Sequence, residues 1–450
     1  MSFGFGFGFP KNYVAALFNT PASLFTTGVN GAWYDPSDFS TLFQDRAGTT
    51  PVTAVGQPVG RILDKSGRGN HAFNPSGNSA NFPVLSARYN LLTKTEQFDG
   101  ATWLKTNLTA TANKLTSANL TGIQAVDSTS AAYPAGVYIF SIKVKSDGWR
   151  WVQLRTNISL SSSYVNFDVI SGVKGTESGA IGSITALGVN EYLISISLTF
   201  LAASGAISIT LVDSGTATRN PSVTGNGVSG IFVRDADLRV TNDALNQPAY
   251  QRVNTATDYD TVGFKPYLSF KGVNQWLQTN SIDFTYGDKM FVSAGVRKLA
   301  DGAEGTLVGF STSSLWVSNG FELSAPQFQG SKNGFGLQVV GNLSSNYTGY
   351  TSGFPSPVTS LISGVIDIGG ASFSNKLKMR VNGSDQALTS VSNFTPTGNF
   401  TTQAMFIGGR GGTANWLNGR LYGLVVAGKA ASTSEITNTE AWLNQKTGAY

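Results

Sequence analysis

Alternation of apolar and polar side chains at every second residue constrains this chain more than any other feature. Between Leu91 and Val240 the alternation recurs in many stretches, for example VYIFSIKVKS at 137–146 and EYLISISLTF at 191–200. A strand with one buried face needs this period of two, whereas a helix needs 3.6. Clusters of Gly, Asn, Ser and Asp separate the stretches, as expected for tight turns. The segment is therefore predicted to form an antiparallel β-sandwich.

A second series of alternating stretches extends from about Tyr267 to Gly428. Charged residues make up only 13% of the chain, and glycine occurs 52 times. An average globular domain is about 25% charged, so this composition favours many strands joined by tight turns. The predicted fold class is all-β, with two antiparallel β-sandwich (jelly-roll) domains.

The last residues depart from this pattern. In SEITNTEAWLNQKTG the apolar residues have helical spacing, and Ser432 with Glu435 forms a capping-box pattern. Gly448 lies where a helix commonly ends in a left-handed residue. One short C-terminal helix is therefore predicted.

Composition excludes several classes of function. The chain has no cysteine and one histidine, so we expect no disulfide, no zinc site and no cofactor. Its 31 cations and 26 anions include no basic run, so we expect no nucleic-acid binding. No stretch approaches the roughly 20 apolar residues of a membrane span. The first cation is Lys11, unlike a secretory signal, so we expect synthesis in a reducing cytoplasm.

The first residues, MSFGFGFGFPK, place Phe3, Phe5, Phe7 and Phe9 on one side of any extended segment. The glycines between them leave the other side bare. Such an apolar ribbon needs a cover, which another chain can supply by strand addition or a hydrophobic groove. Residues 1–27 are therefore predicted to be an extended anchoring arm.

Two parts of the C-terminal region resemble laminin-G-like, concanavalin A-like sandwiches. The run from LKMRVNG to ASTSEI at 377–436 has that family's Asn-Gly turn, strand ending in IGG, and GR motif before a helix start. FKGVNQWLQT at 270–279 resembles the family's opening strand. The resemblance implies a lectin-like sandwich, a fold that also serves hydrolases and pure scaffolds.

The middle of the chain resembles family 4/9-like carbohydrate-binding jelly rolls. RYNLLTKTEQFDGATW at 88–103 is similar to the opening of that family, and IFVRDADLRV at 231–240 to its closing strand. GAWYDPSDFSTLF at 31–43 begins a segment that resembles one common in proteins of tailed-bacteriophage particles. We therefore expect the jelly roll at 88–254 to be inserted into a discontinuous lectin-like domain formed by 28–87 and 255–450.

Candidate catalytic groups are few. His71, in the turn-rich stretch SGRGNHAFNPSG, is interpreted as a solvated loop side chain. Glycan cleavage needs two carboxylates about 5 to 10 Å apart. None of the glutamates forms the ExDxE motif carried by hydrolases of the lectin-like fold, and close aspartate pairs are interpreted as Asx turns or hydrated loops. No catalytic residue and no metal ligand is predicted.

Flat aromatic side chains near turns are candidate platforms for sugar rings. SDGWRWVQLR places Trp149 and Trp151 on one face of a strand directly after a turn, with Arg150 between them. Tyr347 and Tyr350 lie in another strand-edge stretch and are the second candidates.

The phage resemblance implies a structural subunit of a tail fibre or spike, located in the virion and contacting host surface polysaccharide. Its expected partners are copies of itself, as a dimer or trimer, and tail or head proteins reached through the N-terminal arm. Three alternatives stay open at this point: a capsid decoration or head-fibre protein, a glycan depolymerase, and a plain bacterial lectin.

Overall fold

The computed structural model describes residues 20–241, 248–310, 319–342, 346–392 and 396–450. The first described segment contains 3-10 turns at Pro21–Leu24, Phe39–Thr41 and Ser79–Asn81. Its strands are short: β1 (Gly31–Tyr34), β2 (Leu42–Phe43), β3 (Arg61–Ile62), β4 (Ala72–Phe73) and β5 (Val84–Ser86).

The middle segment contains longer strands. In chain order they are β6 (Trp103–Thr106), β7 (Leu108–Thr111), β8 (Lys114–Ser117), β9 (Thr121–Gly122), β10 (Gln124–Ser128), β11 (Ala131–Tyr133), β12 (Gly136–Asp147), β13 (Trp151–Thr156), β14 (Tyr164–Asp168), β15 (Val173–Ser178), β16 (Ala180–Gly188), β17 (Glu191–Phe200), β18 (Ala203–Gly205), β19 (Ile207–Val212), β20 (Val223–Thr224) and β21 (Gly230–Val240).

The C-terminal segment adds strands and both α-helices. They are β22 (Tyr267–Lys271), β23 (Leu277–Asp283), β24 (Lys289–Lys298), β25 (Thr306–Phe310), β26 (Gly320–Ser324), β27 (Gly336–Val340), β28 (Asn346–Tyr350), β29 (Val358–Asp367), α1 (Phe373–Lys376), β30 (Leu377–Val381), β31 (Ser384–Gln386), β32 (Thr389–Ser392), β33 (Thr402–Ile407), β34 (Asn418–Ala427) and α2 (Thr433–Thr447).

Strands from the two ends of the chain pair with each other. An eight-stranded sheet has the order β31-β30-β29-β24-β34-β22-β5, with β1 also paired to β34. A ten-stranded sheet has the order β2-β3-β4-β23-β33-β25-β26-β27-β28-β32. Side chains from both sheets, such as Leu85 and Ile62, enclose one apolar core.

The middle strands form a second sandwich with its own core. Its two six-stranded sheets have the orders β15-β14-β13-β19-β10-β6 and β16-β17-β12-β21-β8-β7. Their inward side chains, such as Phe140, Phe167 and Ile194, are fully buried. The strand pairs in the described residues are antiparallel, and the predicted all-β sandwich class is confirmed.

The ends of helix α2 agree with the sequence prediction. Ser432 is the N-cap and exchanges both capping-box hydrogen bonds with Glu435, and Gly448 ends the helix at φ 58°. A second short helix, α1, was not predicted.

Residues assigned by sequence to the N-terminal arm pack against this helix. Leu24 is fully buried and Phe25 nearly so, in a cluster with Trp33 and Trp442. The rings of Trp33 and Trp442 meet edge to face, with centroids 5.4 Å apart.

The chain enters and leaves the middle sandwich at one buried junction. The Gln251 side chain accepts hydrogen bonds from the backbone N–H of Tyr89 at 2.7 Å and of Asn90 at 3.0 Å. Its amide also donates to the carbonyls of Ala87 and Asp260, each at 2.8 Å. Gln251 is fully buried, so these four bonds hold the segment that enters the middle sandwich against the segment that leaves it, away from water.

This junction allows a test of the predicted insertion of 88–254. We expect a chain that lacks residues 92–249, with Leu91 joined to Tyr250 by a short Gly/Ser linker, to unfold in one cooperative thermal transition followed by circular dichroism. The linker leaves Gln251 and its backbone partners in place. Adding Gln251→Ala should destabilise the shortened chain by about 2 kcal/mol or more, because buried backbone groups lose their partners. Loss of any cooperative transition in the shortened chain would contradict the insertion.

Candidate functional site

An open cleft of about 680 Å³ lies beside Trp151 on the outer face of the middle sandwich. We call it the Trp151 cleft. Its lining residues come from the turn before β13, from β13 and β15, and from the loop after β19: Arg150, Trp151, Gly175, Thr176, Ser214, Gly215 and Thr216. The lining combines one indole, one guanidinium, three hydroxyl side chains and exposed backbone.

The loop that forms one wall is held by amide side chains from the sheet. Gln153 and Asn166 point outward from β13 and β14, where alternation would leave them in water, yet both are fully buried. The Gln153 amide donates to the carbonyl of Thr218 at 3.0 Å and accepts from the Asn220 N–H at 2.8 Å. The Asn166 amide donates to the Ala217 carbonyl at 2.8 Å. These bonds fix the loop against the sheet.

Two glycines bring the loop close to the ring. A Cβ atom on Gly215 would lie 2.5 Å from the indole of Trp151, and one on Gly175 would lie 2.2 Å from the Gly215 carbonyl oxygen. The same oxygen accepts the Thr176 N–H at 2.7 Å. Any side chain at either glycine would therefore shift the loop or the indole. Neither glycine was predicted from sequence, because nothing in DSGTATRN at 213–220 shows that this loop covers the strands that carry Trp151 and Gly175.

Arg150 is anchored at the cleft while most of its side chain stays in water. Its side chain is 56% exposed, and its Nε and Nη2 donate to the Asp168 carboxylate at 2.8 and 2.7 Å. The guanidinium carbon lies 5.8 Å from the centre of the Trp151 ring. Burial alone would raise the pKa of Asp168, but hydrogen bonds from Arg150 and Ser171 outweigh it and hold the pKa well below its usual range.

The structure separates the two tryptophans that sequence analysis placed on one face. Strand β13 begins at Trp151, so Trp149 precedes it and does not follow its alternation. The Trp149 ring is half-buried against the core of the middle sandwich, and its indole N–H donates to the Val212 carbonyl at 2.9 Å. Of the pair, Trp151 lines the cleft.

The other candidate residues lie elsewhere. Tyr347 and Tyr350 belong to β28 in the ten-stranded sheet, whereas Trp151 belongs to a sheet of the middle sandwich. Tyr350 is half-buried. The predicted anchor residues lie outside the described part of the chain: Phe3, Phe5, Phe7 and Phe9.

The structure brings two glutamates together around one arginine. Nη2 of Arg410 donates at 2.7 Å to both Glu304 and Glu322, and its Nε donates to Glu322 at 2.7 Å. All three side chains are buried. Burial and the charge of Glu322 raise the pKa of Glu304 to about 8, although Arg410 opposes the shift. Both carboxylates are therefore bound to one guanidinium, whereas a glycosidase needs two carboxyl groups that face one bound sugar.

His71, interpreted from sequence as a solvated loop side chain, lies directly before β4 and is half-buried. Its Nδ1 accepts the backbone N–H of Asp64 at 3.0 Å. Within the described residues, no group of three or more His, Asp or Glu side chains is placed to hold a metal ion. In the same part of the chain, no helix has the length and apolarity to span a bilayer.

Comparisons with known proteins give partial likenesses. No family model matches the sequence, and no curated protein matches it. Among solved structures, the chain is similar to a single-residue mutant of the NanB sialidase of Streptococcus pneumoniae at 19% identity and a TM-score of 0.26, over 38% of this chain and 27% of that one. It is also similar to the binding domain of botulinum neurotoxin serotype G at 10% identity and a TM-score of 0.30, over 45% of this chain and 46% of that one.

A third likeness is to the carbohydrate-binding domain CBM40 of a Ruminococcus gnavus IT-sialidase bound to α2,6-sialyllactose. The identity is 15% and the TM-score 0.26, over 36% of this chain and 97% of that one. In each of these comparisons less than half of this chain is aligned, and in the sialidase and neurotoxin comparisons less than half of the other chain is.

The Glu304 cluster predicts how stability depends on pH. The raised pKa in the folded state means that the fold favours protonated Glu304, so its contribution to stability is lost as the pH rises from about 4.5 through about 8. We expect the melting temperature to fall by roughly 5 °C between pH 6 and pH 9, and Glu304→Gln to abolish most of this decrease. The exposed Glu177→Gln is the matched control. A steep decrease retained in Glu304→Gln would contradict the assignment.

Proposed function

We propose that this chain is a glycan-binding structural subunit of a tailed-bacteriophage particle, a tail fibre or spike that contacts host surface polysaccharide. In this proposal it resides in the virion, assembles with copies of itself as a dimer or trimer, and attaches to tail or head proteins through its first residues. The observation that carries the glycan-binding part is the geometry of the Trp151 cleft.

The chemistry of the cleft suits a sugar ring. An indole offers a flat apolar face for the C–H face of a pyranose, while Arg150 and nearby hydroxyl and backbone groups can hydrogen-bond its hydroxyls. The docked loop keeps these groups in place before any ligand arrives, which lowers the entropic cost of binding. An open cleft of about 680 Å³ leaves both ends of a polymer free to continue.

Binding is better supported than cleavage. Among the described residues that line the Trp151 cleft, none is a carboxylate. Asp168 lies beside it but is engaged by Arg150 and Ser171. Glu304 and Glu322 are both engaged by Arg410 and belong to the other sandwich. A depolymerase would need an acid and a base facing one bound sugar.

The particle part of the proposal rests on the sequence of the first residues. Their alternating phenylalanines, Phe3, Phe5, Phe7 and Phe9, would suit a hydrophobic groove on another particle protein. The described residues that follow, Pro21–Leu24, pack against α2 and Trp33 of this chain.

The glycan proposal predicts a clear effect of Trp151→Ala. Binding to bacterial surface polysaccharides, first screened on an array and then titrated by calorimetry, should weaken by about tenfold, since aromatic stacking contributes about 0.5 to 1.5 kcal/mol beyond area burial. Trp151→Phe should recover part of the loss. The matched control is Phe328→Ala, which removes an exposed aromatic ring from the other sandwich.

Gly215→Ala provides a second test of the same geometry. The added methyl group would displace the indole or the loop, so it should weaken glycan binding while the melting temperature stays close to that of the native chain. Unchanged binding in both Trp151→Ala and Gly215→Ala, with folding intact, would show that glycans bind elsewhere or not at all.

The anchoring role is tested by replacing Phe3, Phe5, Phe7 and Phe9 with serine, which keeps the chain length. The free protein should melt as before, while its incorporation into phage particles, measured by immunoblot of purified virions, should be lost. Four leucines at the same positions should retain partial incorporation, because burial of apolar surface drives the contact. Normal incorporation of the serine variant would refute the anchor.

A further inference from the structure

A second cleft, of about 440 Å³, lies on the outer face of the ten-stranded sheet. We call it the Arg61 cleft. Its lining residues come from β3, β4, the loops beside them and β23: Arg46, Ala47, Arg61, Gly69, His71, Phe73 and Asn280. None of these described residues is acidic, and two are permanently cationic.

The strand pairing places these side chains together. Arg61 on β3 lies opposite Phe73 on β4, and both point away from the core that contains Ile62 and Ala72. The register of β23 shifts between Gln278 and Ser281, so a bulge there re-aims the exposed Asn280.

Both guanidinium groups are held by the backbone and not by carboxylates. Arg61 donates from Nη1 to the Ala47 carbonyl at 3.1 Å, and Arg46 donates from Nη1 to the Pro75 carbonyl at 3.2 Å. The Nε of Arg61 is buried and has no hydrogen-bond partner within the described protein. Since a guanidinium has five donors, most of the donor capacity of Arg61 is unused.

The remaining lining groups extend this arrangement. The guanidinium carbon of Arg46 lies over the Phe73 ring, 5.1 Å from its centre, so the lining combines a cation with an aromatic ring. Because Nδ1 of His71 accepts the Asp64 N–H, neutral His71 carries its proton on Nε2 and is a further donor. The Asn280 amide adds both a donor and an acceptor.

Two carboxylates lie near the cleft but are engaged elsewhere. Asp45 accepts the backbone N–H groups of Gly48 and Thr50 at 2.7 and 2.6 Å. Asp64 accepts those of Trp33 and Asn70 at 2.9 and 3.0 Å. Neither lines the cleft, so the described lining around Arg46 and Arg61 contains no carboxylate.

We propose that the Arg61 cleft binds an oxyanion, a carboxylate or a phosphate, carried by a single sugar-sized ring that packs on Phe73. The forked donors of arginine match both oxyanions, and charge-assisted hydrogen bonds to them are stronger than neutral ones. This site lies in a different sheet from the Trp151 cleft, so its test is independent of the glycan proposal.

The experiment titrates the full chain by calorimetry with glucuronate, glucose 6-phosphate and glucose at matched ionic strength. We expect at least one of the two anionic sugars to bind about tenfold or more tightly than glucose, and the stronger of the two identifies the preferred oxyanion. Arg61→Ala and Arg46→Ala should each reduce that affinity by about tenfold. Because Arg46 is exposed, its variant tests the site even if Arg61→Ala fails to fold.

Lys378→Ala is the matched control, since it removes one exposed cation from the other sheet of the same sandwich. It should leave the affinity unchanged. Equal binding of the three sugars would overturn the proposal. So would an equal loss of affinity in Lys378→Ala and Arg46→Ala, because that result would reflect the net charge of the protein and not a binding site.

Discussion

The larger sandwich depends on strand pairing along both edges of β34. One edge pairs with β24 over nearly its whole length. The other edge is shared: β22 covers residues 418–421 and β1 covers residues 424–427. Without Gly31–Tyr34, half of that edge would present unpaired N–H and C=O groups next to the core, which is costly. The last long strand therefore cannot be completed without residues near the start of the chain.

This closure explains why the junction at Gln251 is buried and fully bonded. The chain must leave β5, build the whole middle sandwich, and return to β22, the direct neighbour of β5. The segments that enter and leave the middle sandwich lie close together there, and their backbone N–H and C=O groups are not paired within a strand. The Gln251 amide, with two acceptor sites and two donors, satisfies four of them at once.

Much of the fold followed from sequence because period-two alternation and local turn chemistry are short-range signals. The caps of α2 at Ser432 and Gly448 and the Asn382–Gly383 turn, with φ of 50° and 74°, are examples. The site followed less well. Trp149 and Trp151 were assigned to one face by counting in twos, but that count is valid only within a strand, and β13 begins at Trp151. Where a strand starts is set by pairing with distant residues, which a local pattern does not show.

Amide side chains that point outward from strands indicate where a loop packs on the sheet. Alternation assigns Gln153 and Asn166 to water, yet a loop more than 45 residues away covers both through their amides. An amide offers donors and acceptors in one plane, so it can pair with a loop backbone as another strand would. A charged lysine at the same position would keep the loop away. Outward-facing Gln and Asn in the middle of strands therefore indicate where a loop docks, and in this protein the docked loop carries Gly215, which lies beside the indole of Trp151.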